Sequence, residues 1–314
     1  MDKYRKILVV INPELEQQVA LERAVRVARL EKEAELTLLL PIYDFSYEMT
    51  SMLSADERKE MQEGVIAQRS DWLDKLLEPY RAEGLNIAVK VVWHSRPFES
   101  ILQEVLTGVH DLVVKATHRH SFLQTFIFTP TDWHLLRKCP CPILLVKEGQ
   151  WVRGGNIIAA INCSSDDQDQ QKLNDRITAE ALEVAELLDA SLYLVNTYPG
   201  TPVNIAIELP EFDPKAYNDA IRQHHEKLLR QHAERYGINE AWTRVEEGLP
   251  EEVLPEMANR LDATLMIMGC VGRTGLSAAL LGNTAEQVVD QLDCDMLILK
   301  PEGYVCPVDA RRKG

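Results

Sequence analysis

Short apolar runs alternate with longer amphipathic stretches along the whole chain. Lys6–Asn12, Ile157–Ile161, Leu192–Val195, Leu265–Met268 and Met296–Leu299 are rich in Val, Ile and Leu, with Trp242–Val245 a less regular sixth run. Continuous apolarity over so few residues suits a strand covered on both faces, because a half-exposed strand would alternate apolar and polar positions. Between the runs the period changes. Leu173, Ile177, Ala181, Val184 and Leu188 recur every three or four positions over Lys172–Leu188, which draws one apolar stripe down a helix. Asp213-Pro214 sets a capping carboxylate before a first-turn proline and predicts a helix to about Tyr236, stopped by Gly237. Pro250-Glu251-Glu252 opens a further helix, and Thr284-Ala285-Glu286-Gln287 has the hydroxyl-x-x-Gln form of a capping box that starts another. Strand and helix in strict alternation predict an α/β fold, with doubly wound parallel sheets sandwiched between helices.

The pattern occurs twice. Lys6–Asn12 is echoed by Asn156–Asn162 at an offset of 150, and Ala34–Leu39 by Ala190–Val195 at 156. The offset then settles at 153, where Gly84, Asn86, Pro97, Leu112 and Lys147 match Gly237, Asn239, Pro250, Leu265 and Lys300. Such constancy marks a duplication. Residues 1–148 form one domain, 149–155 with Gly149, Gly154 and Gly155 a linker, and 156–314 the second domain.

Composition narrows the function. The 34 basic and 49 acidic residues leave a net charge of −15, which argues against a nucleic-acid partner or an anionic membrane surface. An opening apolar run of Ile7–Ile11 is too short for a signal-peptide core, and no stretch is long enough to span a bilayer. Six cysteines without framework spacing, at positions 139, 141, 163, 270, 294 and 306, complete the expectation of a reduced, cytoplasmic protein. Cys139-Pro140-Cys141 leads straight into Pro142–Val146, and reads as small apolar thiols at the start of a buried strand rather than a working dithiol.

Ligands of doubly wound folds sit at the carboxyl ends of strands. The loop there in the second half carries Gly269, Gly272 and Gly282, followed by Asn283 and Thr284 at the start of a helix. Glycines allow close backbone approach, and free amides at a helix N-terminus attract an anion. The spacing therefore predicts a phosphate-bearing ligand, such as a nucleotide or a nucleotide-linked, amphiphilic metabolite, with Asn162 and Thr197 lining the rest of the cleft.

Gly269-x-x-Gly272, nine residues, then Gly282 resembles the nucleotide-binding signature of the universal stress protein family. Ile161-Asn162-Cys163-Ser164 and Cys294–Leu299 add to the resemblance, which covers both halves and therefore takes a tandem form. It implies a flavodoxin-like or Rossmann-like sheet of five strands per half, pairing of the halves as an intramolecular pseudo-dimer, and ATP or a related nucleotide as ligand. The chain departs from the family at Asn12 and Asn162, where ATP-holding members carry Asp, and at Asn283, where the signature has a hydroxyl residue. In the first half Ala116, Arg119 and Thr129 replace the three glycines and Pro130 removes a backbone donor, so that half is expected to be a degenerate structural partner.

Other chemistry has less support. His118, His120 and His134 could assemble a metal site, although loop histidines are more often surface groups. His224, His225 and His232 fall on a charged helix and read as solvated. Neither a nucleophile elbow nor a lysine-bearing phosphate loop is present, which predicts a binding protein rather than an enzyme. Slow nucleotide hydrolysis and a ligand-free interaction scaffold remain as alternatives. Val203–Leu209 and Phe122–Phe128 are apolar beyond the needs of exposed loops, and read as contacts between the halves or as a greasy wall beside the cleft.

Overall fold

The computed structural model describes residues 3–31, 33–46, 54–119, 126–127, 129–147, 151, 154–200, 213–270 and 283–306. Two compact units emerge, the first within 1–118, 128–147 and 305–314, the second within 119–127 and 148–304. In the first unit the elements run β1 (Lys6–Val10), α1 (Val19–Leu30), β2 (Glu35–Ile42), α2 (Ala55–Ala82), β3 (Asn86–Trp93), α3 (Pro97–Gly108) and β4 (Leu112–Ala116). A short ribbon follows, β5 (His118–Arg119) with β6 (Phe126–Ile127), of which 119–127 count with the second unit; the first unit resumes with α4 (Pro130–Lys138) and β7 (Ile143–Val146). The second unit repeats the plan as β8 (Asn156–Ala160), α5 (Gln168–Leu188), β9 (Ser191–Tyr198), α6 (Pro214–Arg235), β10 (Thr243–Glu247), α7 (Pro250–Arg260), β11 (Ala263–Gly269), α8 (Asn283–Gln291) and β12 (Asp295–Leu299).

All pairings within each five-stranded sheet are parallel. The order is β3-β2-β1-β4-β7 in the first unit and β10-β9-β8-β11-β12 in the second. This is the 3-2-1-4-5 order of Rossmann-type sheets, in which the chain reverses its direction of travel beside the first strand. The reversal fixes one crevice per unit, between the carboxyl ends of β1 and β4 and of β8 and β11.

The apolar runs become the sheet centres: Ile7, Leu8, Val9, Val113, Val114, Ile157, Ile158, Met266 and Ile267 are fully buried. The expected stripe on α5 faces the core at Leu173, Ile177, Ala181, Val184 and Leu188, with Asn174 and Thr178 buried among them. That helix starts at Gln168, four residues before the apolar periodicity, because Asp167 caps it by accepting from the Asp169 amide at 2.9 Å. Asp213 caps α6 as its sequence predicts, accepting from the amides of Lys215 and Ala216 at 3.0 and 3.1 Å. The expectation for Thr284 is corrected: α8 begins at Asn283, so Thr284 lies in the first turn rather than ahead of the helix. The 153 offset explains the shift, since Asn283 matches Pro130, where α4 begins.

Duplication is visible in the backbone as well as in the sequence. Left-handed residues recur at matched positions: Glu33 with Asp189, Val109 with Asp262, and Gly84 with Gly237, at φ of 62° and 54°, 53° and 47°, and 88° and 67°. The glycines close α2 and α6 alike, Leu85 N–H donating to the Tyr80 carbonyl and Ile238 N–H to that of Ala233, at 3.3 and 3.0 Å. Between β7 and β8 Trp151 is buried, and Gly155 accepts from the Ser191 amide at 2.9 Å.

Candidate functional site

In the second unit, parallel register brings three of the expected residues to the carboxyl ends of adjacent strands. Ala160 pairs with Met268 of β11 and with Val195 of β9. Asn162 follows two positions later, with Gly269 ending β11 on one side and Thr197 on β9 on the other. Gly272 and Gly282 lie outside the described residues, as do the side chains of Asn283 and Thr284 and the whole of Val203–Leu209. Gly269 has a packing role of its own. A Cβ built there would collide with the Leu173 side chain, 2.9 Å from its Cγ, and would lie 3.2 Å from Ile177 Cδ1. The glycine therefore lets α5 settle onto the end of β11.

The loop leaving β8 is held by two buried amides. Asn174 of α5 accepts from the Asn162 amide at 3.1 Å and returns its Nδ2 to the Asn162 carbonyl at 2.7 Å. Asn196 of β9, fully buried, accepts from the Cys163 amide at 2.9 Å. The Asn162 side chain closes the turn, accepting from the Ser164 amide and hydroxyl at 3.3 and 3.0 Å. Asn12 closes the matching turn in the first unit by accepting from the Glu14 amide at 3.0 Å. Asn174 and Asn196 each supply both a donor and an acceptor, which a carboxylate could not.

Each amide leads to a buried histidine, correcting the expectation that His225 and His232 are solvated; only His224 of the three is exposed. Asn196 Nδ2 donates to the Thr197 carbonyl at 3.2 Å and to His225 Nδ1 at 2.8 Å. Arg235 donates to His232 Nδ1 at 2.7 Å, so the ring proton sits on Nε2 and donates to Thr178 Oγ1 at 2.7 Å. The Thr178 hydroxyl in turn donates to the Asn174 carbonyl at 2.9 Å. Burial, reinforced by Arg235 and opposed by Asp175, pushes His232 down to about 4, and burial with His224 holds His225 below the ordinary histidine range. Both rings are therefore neutral at pH 7. Cys163 is equally inert, its thiol pushed up to about 12 by burial.

The first unit treats the same crevice differently. Lys115 projects from the otherwise apolar β4, with Nζ 2.7 Å from Asp132 Oδ1, and Asp132 has no exposed surface. Asp132 Oδ2 also accepts from the Thr129 amide and hydroxyl, both at 2.7 Å, while Thr129 Oγ1 accepts from the Asp132 amide at 3.3 Å. The capping box thus places a carboxylate in the N-terminal turn of α4, where a phosphate would otherwise profit from the helix dipole. Further along the strand ends a cleft of about 840 Å³ opens, walled by Tyr43, Phe45 and Trp93 and bearing Glu14, Asp44 and Arg69. Two carboxylates against one guanidinium give it the wrong sign for a phosphate.

The remaining candidates are placed as follows. His134 stacks on Phe98 with ring centroids 3.9 Å apart, and burial, with Lys138 and Arg137 nearby, lowers its proton affinity. The His118 side chain and His120 lie outside the described residues, among which no cluster of three or more His, Cys, Asp or Glu could hold a metal. Cys139 caps α4 and is buried, its sulfur 3.6 Å from that of Cys141, whose thiol is raised by the Cys139 contact and by burial. No helix among the described residues is long and apolar enough to cross a membrane.

Sequence reasoning missed the two histidines although a signal was there: His225, Leu229, His232 and Ala233 fall at helical spacing on one face of α6, and all four are buried. It also missed the Lys115–Asp132 pair. A lone lysine inside Leu112–Ala116 and the Thr-Pro-Thr-Asp start of a helix were the available signs.

Comparison with known proteins agrees with this architecture over almost the whole length. The chain is 51% identical over 310 residues to universal stress protein E of Escherichia coli K12, covering 98% of each, and 45% identical to that of Photorhabdus laumondii over the full length of both. A Pseudomonas aeruginosa UCBPP-PA14 protein, whose crystal structure carries a provisional universal stress name, superposes with a TM-score of 0.76 at 29% identity over 99% of this chain and 98% of its own. The universal stress protein family model matches twice, at residues 3–147 and 168–300, and the chain belongs to that family as a tandem member.

Proposed function

We propose that this protein is a non-catalytic, cytoplasmic stress-response protein whose second unit binds a phosphate-bearing small molecule while the first acts as its structural partner. The ligand is a nucleotide, ATP among them, or a nucleotide-linked metabolite. Its phosphates would lie over Gly269, Gly272 and Gly282 and against the helix start at Asn283 and Thr284, with Asn162 and Thr197 lining the remaining space.

One contrast carries this reading. The first unit answers its own helix N-terminus with Asp132 and balances that charge with Lys115. At the matching positions of the second unit stand Ala285 and Met268. Neither of these side chains carries a charge, and in this reading the start of α8 is left for a ligand's phosphate. In a chain of net charge −15 those local dipoles must act against a repulsive field.

Native mass spectrometry of protein purified without added ligand, followed by titration with ATP and uridine nucleotides, tests the reading directly. Saturable binding to the intact chain is expected. Transplanting the first unit's pair, Met268→Lys with Ala285→Asp, should abolish it while the circular dichroism spectrum is kept. Absence of any saturable binding to the parent protein would overturn the reading in favour of a ligand-free interaction scaffold.

A further inference from the structure

We infer that Asn196 is the positioning residue of the loop leaving β8, and that His225 sets its orientation, so that the loop is released when that ring gains a proton. As far as it concerns a ligand, this rests on the reading above; the latch itself does not.

The argument begins with hydrogen-bond polarity. The Cys163 amide can only donate, which fixes Asn196 Oδ1 as its acceptor and leaves Nδ2 as the only group of that side chain able to face His225. An amide nitrogen can only donate, so His225 Nδ1 must be unprotonated. Asn196 is thus read at both ends: its oxygen is committed to the loop because its nitrogen is committed to the ring. A proton on His225 Nδ1 would set two donors against each other at 2.8 Å. The amide can relieve this by turning over, offering its oxygen to the imidazolium. It then presents –NH₂ to the Cys163 N–H, and the loop loses its anchor to β9. The fully buried amide is denied water as an alternative partner, which makes the unpaired arrangement costly.

The surroundings of His225 set how readily it takes that proton. On its own helix His225 neighbours His224, ring centroids 6.0 Å apart, and a second cation there would repel the first. From β9 comes the Tyr198 ring at 5.3 Å, a phenol neutral through this range. The nearby carboxylates are engaged: Glu226 of α6 with Arg222 at 3.1 Å, and Glu247 of β10 with Asn218 at 3.3 Å. Asp175 of α5 and Arg235 of α6 serve the other histidine, His232. The second anchor offers an internal control. Asn174 holds the Asn162 amide through a peptide pairing that needs no ring nitrogen as acceptor, and His232 reaches it only through the Thr178 hydroxyl.

Amide hydrogen exchange of the ¹⁵N-labelled full chain without ligand, between pH 7.5 and 4.5 and corrected for intrinsic rates, tests the latch. Protection of Cys163 should fall at least tenfold further over this range than that of Asn162 and Ile158. His225→Gln, which offers an acceptor that cannot titrate, should keep Cys163 protected and flatten the profile. Constant protection of Cys163 in the parent protein overturns the inference, and so does a loss matched at Ile158, which would report unfolding. Should the glutamine variant misfold, the parent profile alone decides. ATP affinity measured at pH 7 and 5 should drop about tenfold in the parent and stay level in His225→Gln; an equal drop in both overturns the link from latch to ligand. Failure of ATP to bind at any pH overturns the phosphate reading and leaves the exchange result to judge the latch.

Discussion

Replacing Asp132 by alanine removes the carboxylate 2.7 Å from Lys115 Nζ, and half of the α4 capping box with it. Asp132 is fully buried and Lys115 nearly so, so the stranded ammonium cannot recover its hydration without disturbing β4. Breaking a buried pair from one side destabilises by about 3–5 kcal/mol, and the cap adds about 1 kcal/mol. With a urea dependence near 2 kcal/mol per molar for a unit of this size, the first unit's midpoint should fall by about 2–3 M. Lys115→Met should be milder, about 2 kcal/mol, because Asp132 keeps the Thr129 amide and hydroxyl. Combining Lys115→Met with Asp132→Ala recreates the Met268 and Ala285 of the second unit, and should restore all but the cap contribution. Urea unfolding by circular dichroism, with pulsed hydrogen exchange on residues 112–116 to assign the transition, measures each step. A shift under about 0.5 M for Asp132→Ala, or a double variant as unstable as the single one, would refute the reasoning, since the charge would then be solvated where it stands.

Three further outcomes are expected. Gly269→Val should destabilise the second unit by about 1–3 kcal/mol, because its Cβ meets Leu173; thermal unfolding checks this, and Leu173→Ala in the same chain should recover part of the loss. Acid should weaken the second unit through His232: its folded value of about 4 lies below the ordinary 6.5, so the unfolded chain takes up the proton first. That contribution is intact above pH 6.5 and is lost as pH falls towards 4, and His232→Gln should remove this part of the pH dependence of the urea midpoint. Gly237→Ala, at φ of 67°, should cost about 1 kcal/mol by denaturant titration, and Gly84→Ala at 88° a similar amount.

The legible part of this fold is the part set by local periodicity. Val, Ile and Leu runs became buried strands, the α5 stripe became its core face, and Asp213 and Gly237 bounded α6. What escaped depends on partners distant in sequence. His225 and His232 look solvated beside Arg222, Lys227 and Arg230, and only β9 and α5 supply the Asn196 and Thr178 that make their burial tolerable. Lys115 gains meaning only when α4 returns Asp132 to it, seventeen positions on. In the candidate site, Asn162 and Gly269 were picked out by motif, yet the fit of Gly269 to Leu173 is a matter of helix-to-sheet distance, which spacing along a chain does not encode.

The carboxylate of Asp132 is an anion the first unit can never lose, since it is part of the chain. The start of α4 therefore needs no outside anion to answer its dipole. The second unit, with Ala285 in the same place, has no such guarantee. A phosphate compound present at a hundred times its dissociation constant would add about 2.7 kcal/mol to it by mass action alone. On the proposed reading, duplication followed by a single pair of charge changes would leave the second half with a resistance to unfolding, and hence to proteolysis, that follows the concentration of a small molecule.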